Sequence, residues 1–181
     1  MLDTKNLQLK DITPTFIHQL ISDSSEEVVC ATMGCSKQDY EHYKSMHELG
    51  METHRISLYT FLLIHKNSNL PIGECGFHTW NKTHRRAELF YVMRNELFNN
   101  KGLMKEAVAA ALDFGFTHLN LHRVEALIDP NNLPSLKIIQ RFGFTKEGVM
   151  REDYSVNGKN EDSDCYSLLR WEWDNQRKTI D

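Results

Sequence analysis

Asn99-Asn100-Lys101-Gly102 leads into an alanine-rich run of good helix formers from 103 to 119. A polar loop that closes on one glycine at a helix mouth can do chemistry. The first helical N–H groups have no partner inside the helix and the helix dipole is positive there, so a phosphate can sit on them. Gly102, with no Cβ, lets the backbone approach that anion closely. The same residues also describe a plain connecting turn, and the loop alone does not choose between the two. Metal chemistry has less support. His118 and His122 are four residues apart, but the helical pattern ends between them, so no metal site is expected. His42, His47 and His54 have no matching ligand set and read as core or solvated imidazoles. Cys30, Cys35, Cys75 and Cys165 lack the close pairing of zinc or redox motifs, which reads as reduced thiols of a cytoplasmic protein.

The strand that feeds the loop is Arg86–Met93, an apolar and aromatic run of strand length, and Asn95-Glu96 breaks it. Earlier in the chain, residues 6–11 alternate Leu7 and Leu9 with Gln8 and Lys10, a half-buried strand. Thr13-Pro14 caps and starts a short helix, and Ser36 caps a second one from Lys37 to about Leu49. Residues 22–37 are polar and give no assignment. Residues 57–65 and 72–80 read as a hairpin, with Gly73 and Gly76 marking a bulge or a close backbone approach. Beyond the loop, Arg123–Ile128 is a strand, 135–141 a short helix after Pro134, and Gly143 its left-handed cap. Strands at 145–156 and 163–171 flank the turn Asn157-Gly158, and Trp171-Glu172-Trp173 opens a polar tail. The order is strand, two helices, three meander strands, helix, strand, helix, two strands. It makes an α/β (α+β) fold with a mixed, mostly antiparallel central sheet of about seven strands and helices on both faces.

The whole chain of 181 residues, 40% hydrophobic and 25% charged, reads as one domain able to bury a core unaided. A net charge of -4 argues against a general nucleic-acid binder. The N-terminus lacks a signal-peptide layout, and no apolar run nears the ~20 residues of a membrane span. The oligomeric state is left open, a homodimer included.

Six fragments in order resemble the GNAT N-acetyltransferase superfamily, more narrowly its ribosomal-protein N-terminal acetyltransferase (RimJ/RimL-like) branch. They are the opening Thr4-Lys5-Asn6-Leu7-Gln8-Leu9-Lys10, Ile72-Gly73 with Gly76, and Asn99-Asn100-Lys101-Gly102-Leu103-Met104 with Glu106-Ala107. Asn132-Leu133-Pro134-Ser135, Phe142-Gly143-Phe144 with Glu147-Gly148, and the closing Tyr154, Asn157-Gly158, Asp164, Tyr166 and Leu168 complete them. Two positions depart from the family's loop, commonly Gln/Arg-x-x-Gly-x-Gly/Ala: Asn99 stands at its start and Met104 at its end. The interval from Tyr91 to Gly102 is also one residue longer than expected.

The resemblance implies acetyl transfer from acetyl-CoA to a primary amine, a protein N-terminal α-amine first and a small-molecule amine (polyamine, amino acid, antibiotic) second; a CoA-binding module without turnover is the competing class. It implies that backbone N–H groups along Leu97, Asn99, Asn100, Lys101, Gly102, Leu103 and Met104 hold the pyrophosphate. Pantetheine then lies where the fourth and fifth strands splay, with an N–H near Tyr91, Val92 or Met93 facing the thioester carbonyl. The incoming ammonium must lose a proton, and a carboxylate can take it. Glu88 is the first candidate, Glu125 the second and Glu74 the third. Against this, Glu88 also reads as a strand residue paired with Arg85 or Arg86. Ser135 is the candidate donor to the departing thiolate, or else simply a helix-start residue. Asn132 would bond the pantetheine amide, or else serves the turn, and Tyr166 is a further donor candidate or core. Val108, Ala111 and Leu112 read as core.

Overall fold

A computed structural model describes residues 1–48 and 59–178. His54, Leu49 at the expected end of the second helix, and the first two residues of the expected 57–65 strand lie outside the described residues. Contacts divide the chain into two compact units, Met1–Thr79 with Phe90–Asp113, and Trp80–Leu89 with Phe114–Asp181. The strands form an eight-stranded sheet of order β1-β2-β3-β4-β5-β6-β8-β7. The strand beyond the expected number is β1 (Leu2–Asp3), two residues paired antiparallel with β2 (Leu7–Ile12).

In the first unit, Leu7 and Leu9 are fully buried, as the alternation requires. Thr13 caps α1 (Pro14–Asp23) by accepting from Phe16 N at 3.2 Å. A helix that the sequence reading missed follows: α2 (Glu26–Met33). Its Val28-Val29 pair weakens the helical signal, while Ser25, the acidic pair Glu26-Glu27 and the stop at Gly34 were the signals that could have found it. α3 (Lys37–Glu48) starts in a reciprocal box, with Ser36 N donating to Asp39 Oδ2 at 3.0 Å and Asp39 N to Ser36 Oγ at 3.2 Å. Ile17, Val29 and Met33 form the core these helices share, with Phe16, Leu20, Tyr40 and Tyr43 packed on it.

β3 (Tyr59–His65) and β4 (Leu70–Asn81) pair antiparallel, with a register shift between Leu63 and Ile64. The close approach expected at the two glycines is present. A Cβ on Gly73 would stand 2.2 Å from Val92 O, and one on Gly76 2.0 Å from Tyr59 O. β5 (Arg86–Met93) ends where Arg94 N donates to Ile72 O at 2.9 Å. α4 (Leu103–Thr117) buries Ala107, Val108, Ala111 and Leu112 completely.

In the second unit, β6 (Arg123–Ile128) pairs parallel with β5 and antiparallel with β8 (Lys159–Leu169). α5 (Leu133–Arg141) ends at Gly143, φ +70°. β7 (Thr145–Val156) and β8 turn at Asn157-Gly158, both at positive φ, the pattern of a type I′ hairpin. Two expectations are corrected here. The last strand runs 159–169 instead of 163–171, and the tail from 170 is a helix, α6 (Arg170–Lys178). The Trp171-Glu172-Trp173 aromatics masked it. Glu172 Oε2 accepts from Leu169 N at 2.8 Å as a cap, and Trp173 is buried against Phe116.

Candidate active site

The expected cofactor residues on β5 and the loop fall in the first unit together with Glu74, and Glu88, Glu125, Asn132 and Ser135 fall in the second. In the first, Tyr91 and Met93 are half-buried and Val92 is 42% exposed. The loop opens with a 3-10 turn, Glu96–Phe98, capped by Asn95. Leu97 N donates to Asn95 Oδ1 at 3.1 Å and Asn99 N to Glu96 O at 3.0 Å. Those two N–H groups are engaged inside the turn, which narrows the expected anion contact to 100–104. Asn100 (φ +59°) and Gly102 (φ +75°) both sit in the left-handed region. Asparagine tolerates that conformation better than most side chains. A Cβ on Gly102 would meet nothing within 4 Å. The space before the helix mouth is therefore open. Lys101 Nζ lies 5.1 Å from the centroid of the Phe98 ring, which keeps a positive charge beside the loop.

Glu106 N donates to Gly102 O at 3.1 Å, the bond that begins the α4 ladder. The N–H groups of 103–105 lie ahead of it, at the positive end of the helix. The Glu106 carboxylate is clamped by Asn6, whose N and Nδ2 donate at 2.6 and 2.8 Å. Burial works against its charge, but hydrogen bonds from Asn6, Thr4 and Leu7 outweigh it and hold its pKa below the usual carboxylate range. This clamp, which no sequence motif announced, ties the start of β2 to the first turns of α4. Open space, left-handed backbone and helix mouth together suit a pyrophosphate.

In the second unit, Glu88 on β5 and Glu125 on β6 are register partners, both half-buried, while their neighbours Ala87, Leu89, Val124 and Ala126 are buried. The two carboxylates share one face. β5 and β6 pair at Arg86↔Arg123, Ala87↔Val124 and Glu88↔Glu125. Arg86, a partner considered for Glu88, donates from Nη1 to both oxygens of Glu125, at 3.2 and 3.1 Å. Arg123 Nε donates a third bond to Glu125 at 2.8 Å, and its Nη1 and Nη2 fork onto Glu147 at 2.7 and 2.5 Å. Ser167 Oγ donates to Glu147 at 2.7 Å. Arg123, then Ser167, hold the Glu147 carboxyl down at about 2. Asn132 caps α5, accepting from Ser135 N at 3.2 Å, and the Ser135 side chain is half-buried. It is the one hydroxyl on that helix. Tyr166 is core, 7% exposed.

Glu74 is 5% exposed, accepts from Tyr43 OH and pairs with Arg94 at 3.2 Å. His47 contacts His18, with Nδ1 atoms 2.5 Å apart. Among the described residues no group of three or more His, Cys, Asp or Glu could hold a metal ion, and no helix is long and apolar enough to cross a membrane.

Known proteins show similarity at three levels. The model of the acetyltransferase (GNAT) domain matches residues 6–145. The uncharacterized N-acetyltransferase p20 of Bacillus licheniformis is 38% identical over 113 residues, 62% of this chain and 63% of that protein. Spermidine N(1)-acetyltransferase of Escherichia coli K12 is 35% identical over 79 residues, 44% of this chain and 42% of that enzyme. The chain thus spans less than two thirds of the length of these relatives. Mutant forms of the spermidine/spermine N-acetyltransferase SpeG from Vibrio cholerae share the fold, with TM-score 0.71 at 22% identity over 96% of this chain and 99% of that one.

Proposed function

We propose, since this chain belongs to the GNAT acetyltransferase family, that it moves an acetyl group from acetyl-CoA to a primary amine of a small polycation of the spermidine class. The likeness to an E. coli enzyme named for spermidine carries the choice of acceptor. The excess of acidic over basic residues, a net charge of -4, favours a cationic acceptor in the same direction. This puts the small-molecule amine ahead of the protein N-terminus expected from the sequence. A protein N-terminal α-amine is the second reading, supported by the first-strand and closing-hairpin motifs of the ribosomal-protein branch.

Acetyl-CoA supplies an activated acetyl group as a thioester. The N–H groups of 100–104 and Lys101 bind its pyrophosphate, and Asn132 serves its pantetheine amide as well as capping α5. The backbone N–H groups of 91–93 polarise the carbonyl. Glu88 takes the ammonium proton. Glu125, whose two oxygens accept from Arg86 and Arg123, is the second candidate. Ser135 returns a proton to the thiolate. Thiol release from acetyl-CoA over a panel of spermidine, spermine, amino acids and N-terminal peptides tests the reading. We expect kcat/KM to be highest for the polyamines. A peptide outranking them makes the second reading correct, and tight CoA binding with no turnover on any amine makes the chain a binding module.

A further inference from the structure

Arg94 directly follows β5, and its guanidinium is held from three sides. Nη1 lies 3.2 Å from Glu74 Oε1, Nη2 donates to Tyr43 OH at 3.3 Å, and Nε donates to Asp39 Oδ2 at 3.4 Å. Tyr43 OH in turn donates to Glu74, and the guanidinium carbon lies 6.0 Å from the Tyr43 ring centroid. The side chains of Arg94 and Glu74 are 13% and 7% exposed. Burial alone would lower the arginine's pKa, but Glu74, Tyr43 and Asp39 outweigh it, so the cation persists. Burial, then Glu74, drives the Tyr43 pKa up, which keeps that hydroxyl a donor.

A buried ion cluster is seldom the cheapest way to stabilise a fold, because apolar replacements often do as well. What this one holds is more specific. The Arg94 backbone N–H donates to Ile72 O at 2.9 Å, and the next residue along β4, Gly73, lies directly against Val92 O. Glu74 follows Gly73 on the same strand, and Tyr43 and Asp39 come from α3. Backbone contacts from β4 hold the strand end at Val92–Arg94 (92–94), and the ion cluster ties the Arg94 side chain to β4 and to α3.

We propose that Arg94 is a positioning residue for acetyl transfer: with Glu74, Tyr43 and Asp39 it sets the backbone N–H groups at the end of β5 that polarise the thioester carbonyl, and it ties their placement to α3. This rests on the acetyltransferase reading above. A carbonyl-polarising donor acts through its position. A displacement of about 1 Å is worth up to about 100-fold in rate, and loss of one such donor about 100- to 1,000-fold. The bonds of the cluster run among Arg94, Glu74, Tyr43 and Asp39 and not to the loop at 100–104, so CoA affinity and the rate of transfer are expected to respond differently to its removal.

The test uses the full chain as wild type, Arg94→Met, Arg94→Lys and Tyr43→Phe. Titration with coenzyme A gives Kd and the number of competent sites, and thiol release with the best amine gives kcat per competent site. We expect Arg94→Met to lower kcat per site about 30-fold, with Kd for CoA within about threefold of wild type. Arg94→Lys recovers part of this, since an ammonium cannot meet three partners in the planar fork of a guanidinium. Tyr43→Phe loses about threefold to tenfold by the same route. A merely structural role lowers the melting temperature and the number of competent sites but leaves kcat per site unchanged, and that result overturns the proposal. If Arg94→Met fails to fold, an unchanged kcat per site in Tyr43→Phe overturns it equally. A wild-type chain that binds CoA and turns over no amine defeats the acetyltransferase reading, and this proposal falls with it.

Discussion

Glu88 and Glu125 stand side by side in register, half-buried on one face of the sheet. Arg86 and Arg123 spend three hydrogen bonds on Glu125, so its oxygens face protein donors. Glu88 is the residue on which the proton-transfer assignment turns. Glu88→Gln keeps the shape and removes the base, and kcat is expected to fall about 100-fold with the CoA Kd near that of wild type. An unchanged pH–rate profile in that variant would move the role to Glu125 or to water. The candidates themselves were legible in the sequence, because a carboxylate in an apolar strand run is conspicuous. The arginine grip was not. Arg86 reaches Glu125 from the neighbouring strand, and one sequence does not fix strand register. Glu147 was visible only as half of a Glu-Gly signature. Its job, receiving the Arg123 fork, emerges from the irregular register between Lys146 and Gly148.

At the scale of elements, two glycines of the site act by different physics. Gly73 is needed for space, since an added Cβ would meet Val92 O at 2.2 Å, while Gly102 has open space but a φ of +75°. Gly73→Ala is therefore expected to cost about 3 kcal/mol in urea unfolding, the scale of core overpacking, and Gly102→Ala only about 1–2 kcal/mol of backbone strain. Equal losses would mean that the β4–β5 approach is looser than it looks. The glycine pattern, the strand at 86–93 and the helix from 103 were all readable, because composition and breakers agree there. α2 and α6 were not. Val28-Val29 and Trp171-Glu172-Trp173 are poor helix signals locally, and those segments become helical through the apolar faces they bury, Val29 with Met33 in one and Trp173 in the other.

For the molecule as a whole, one route by which pH acts on stability is the Glu147 carboxyl. Its pKa is depressed from 4.5 to about 2 in the folded chain, so its contribution to stability is complete above 4.5 and fades as pH falls toward 2. The melting temperature of Glu147→Gln should lie below that of wild type at neutral pH, with the gap closing between pH 4.5 and 2. A gap that stays constant through that range would show that the Arg123 fork adds nothing through charge. The sequence suggested one domain, and no linker composition marks the crossings at 79–80, 89–90 and 113–114 between the two compact units. The long hairpin at the end of the sheet has a consequence for behaviour in concentrated solution. β7 is the terminal strand and is exposed along nearly its whole length, with Val149 at 52% and Met150 at 42%. A straight strand of that kind would template the addition of another chain. Here the register breaks twice, near Lys146/Gly148 and between Met150 and Tyr154, where Glu152 takes a φ of +52° and Arg151, Glu152 and Asp153 crowd the rim with charge. Bulges and charges of this kind deny a neighbour the even ladder it needs, so the exposed edge resists runaway fibre growth without needing a covering helix.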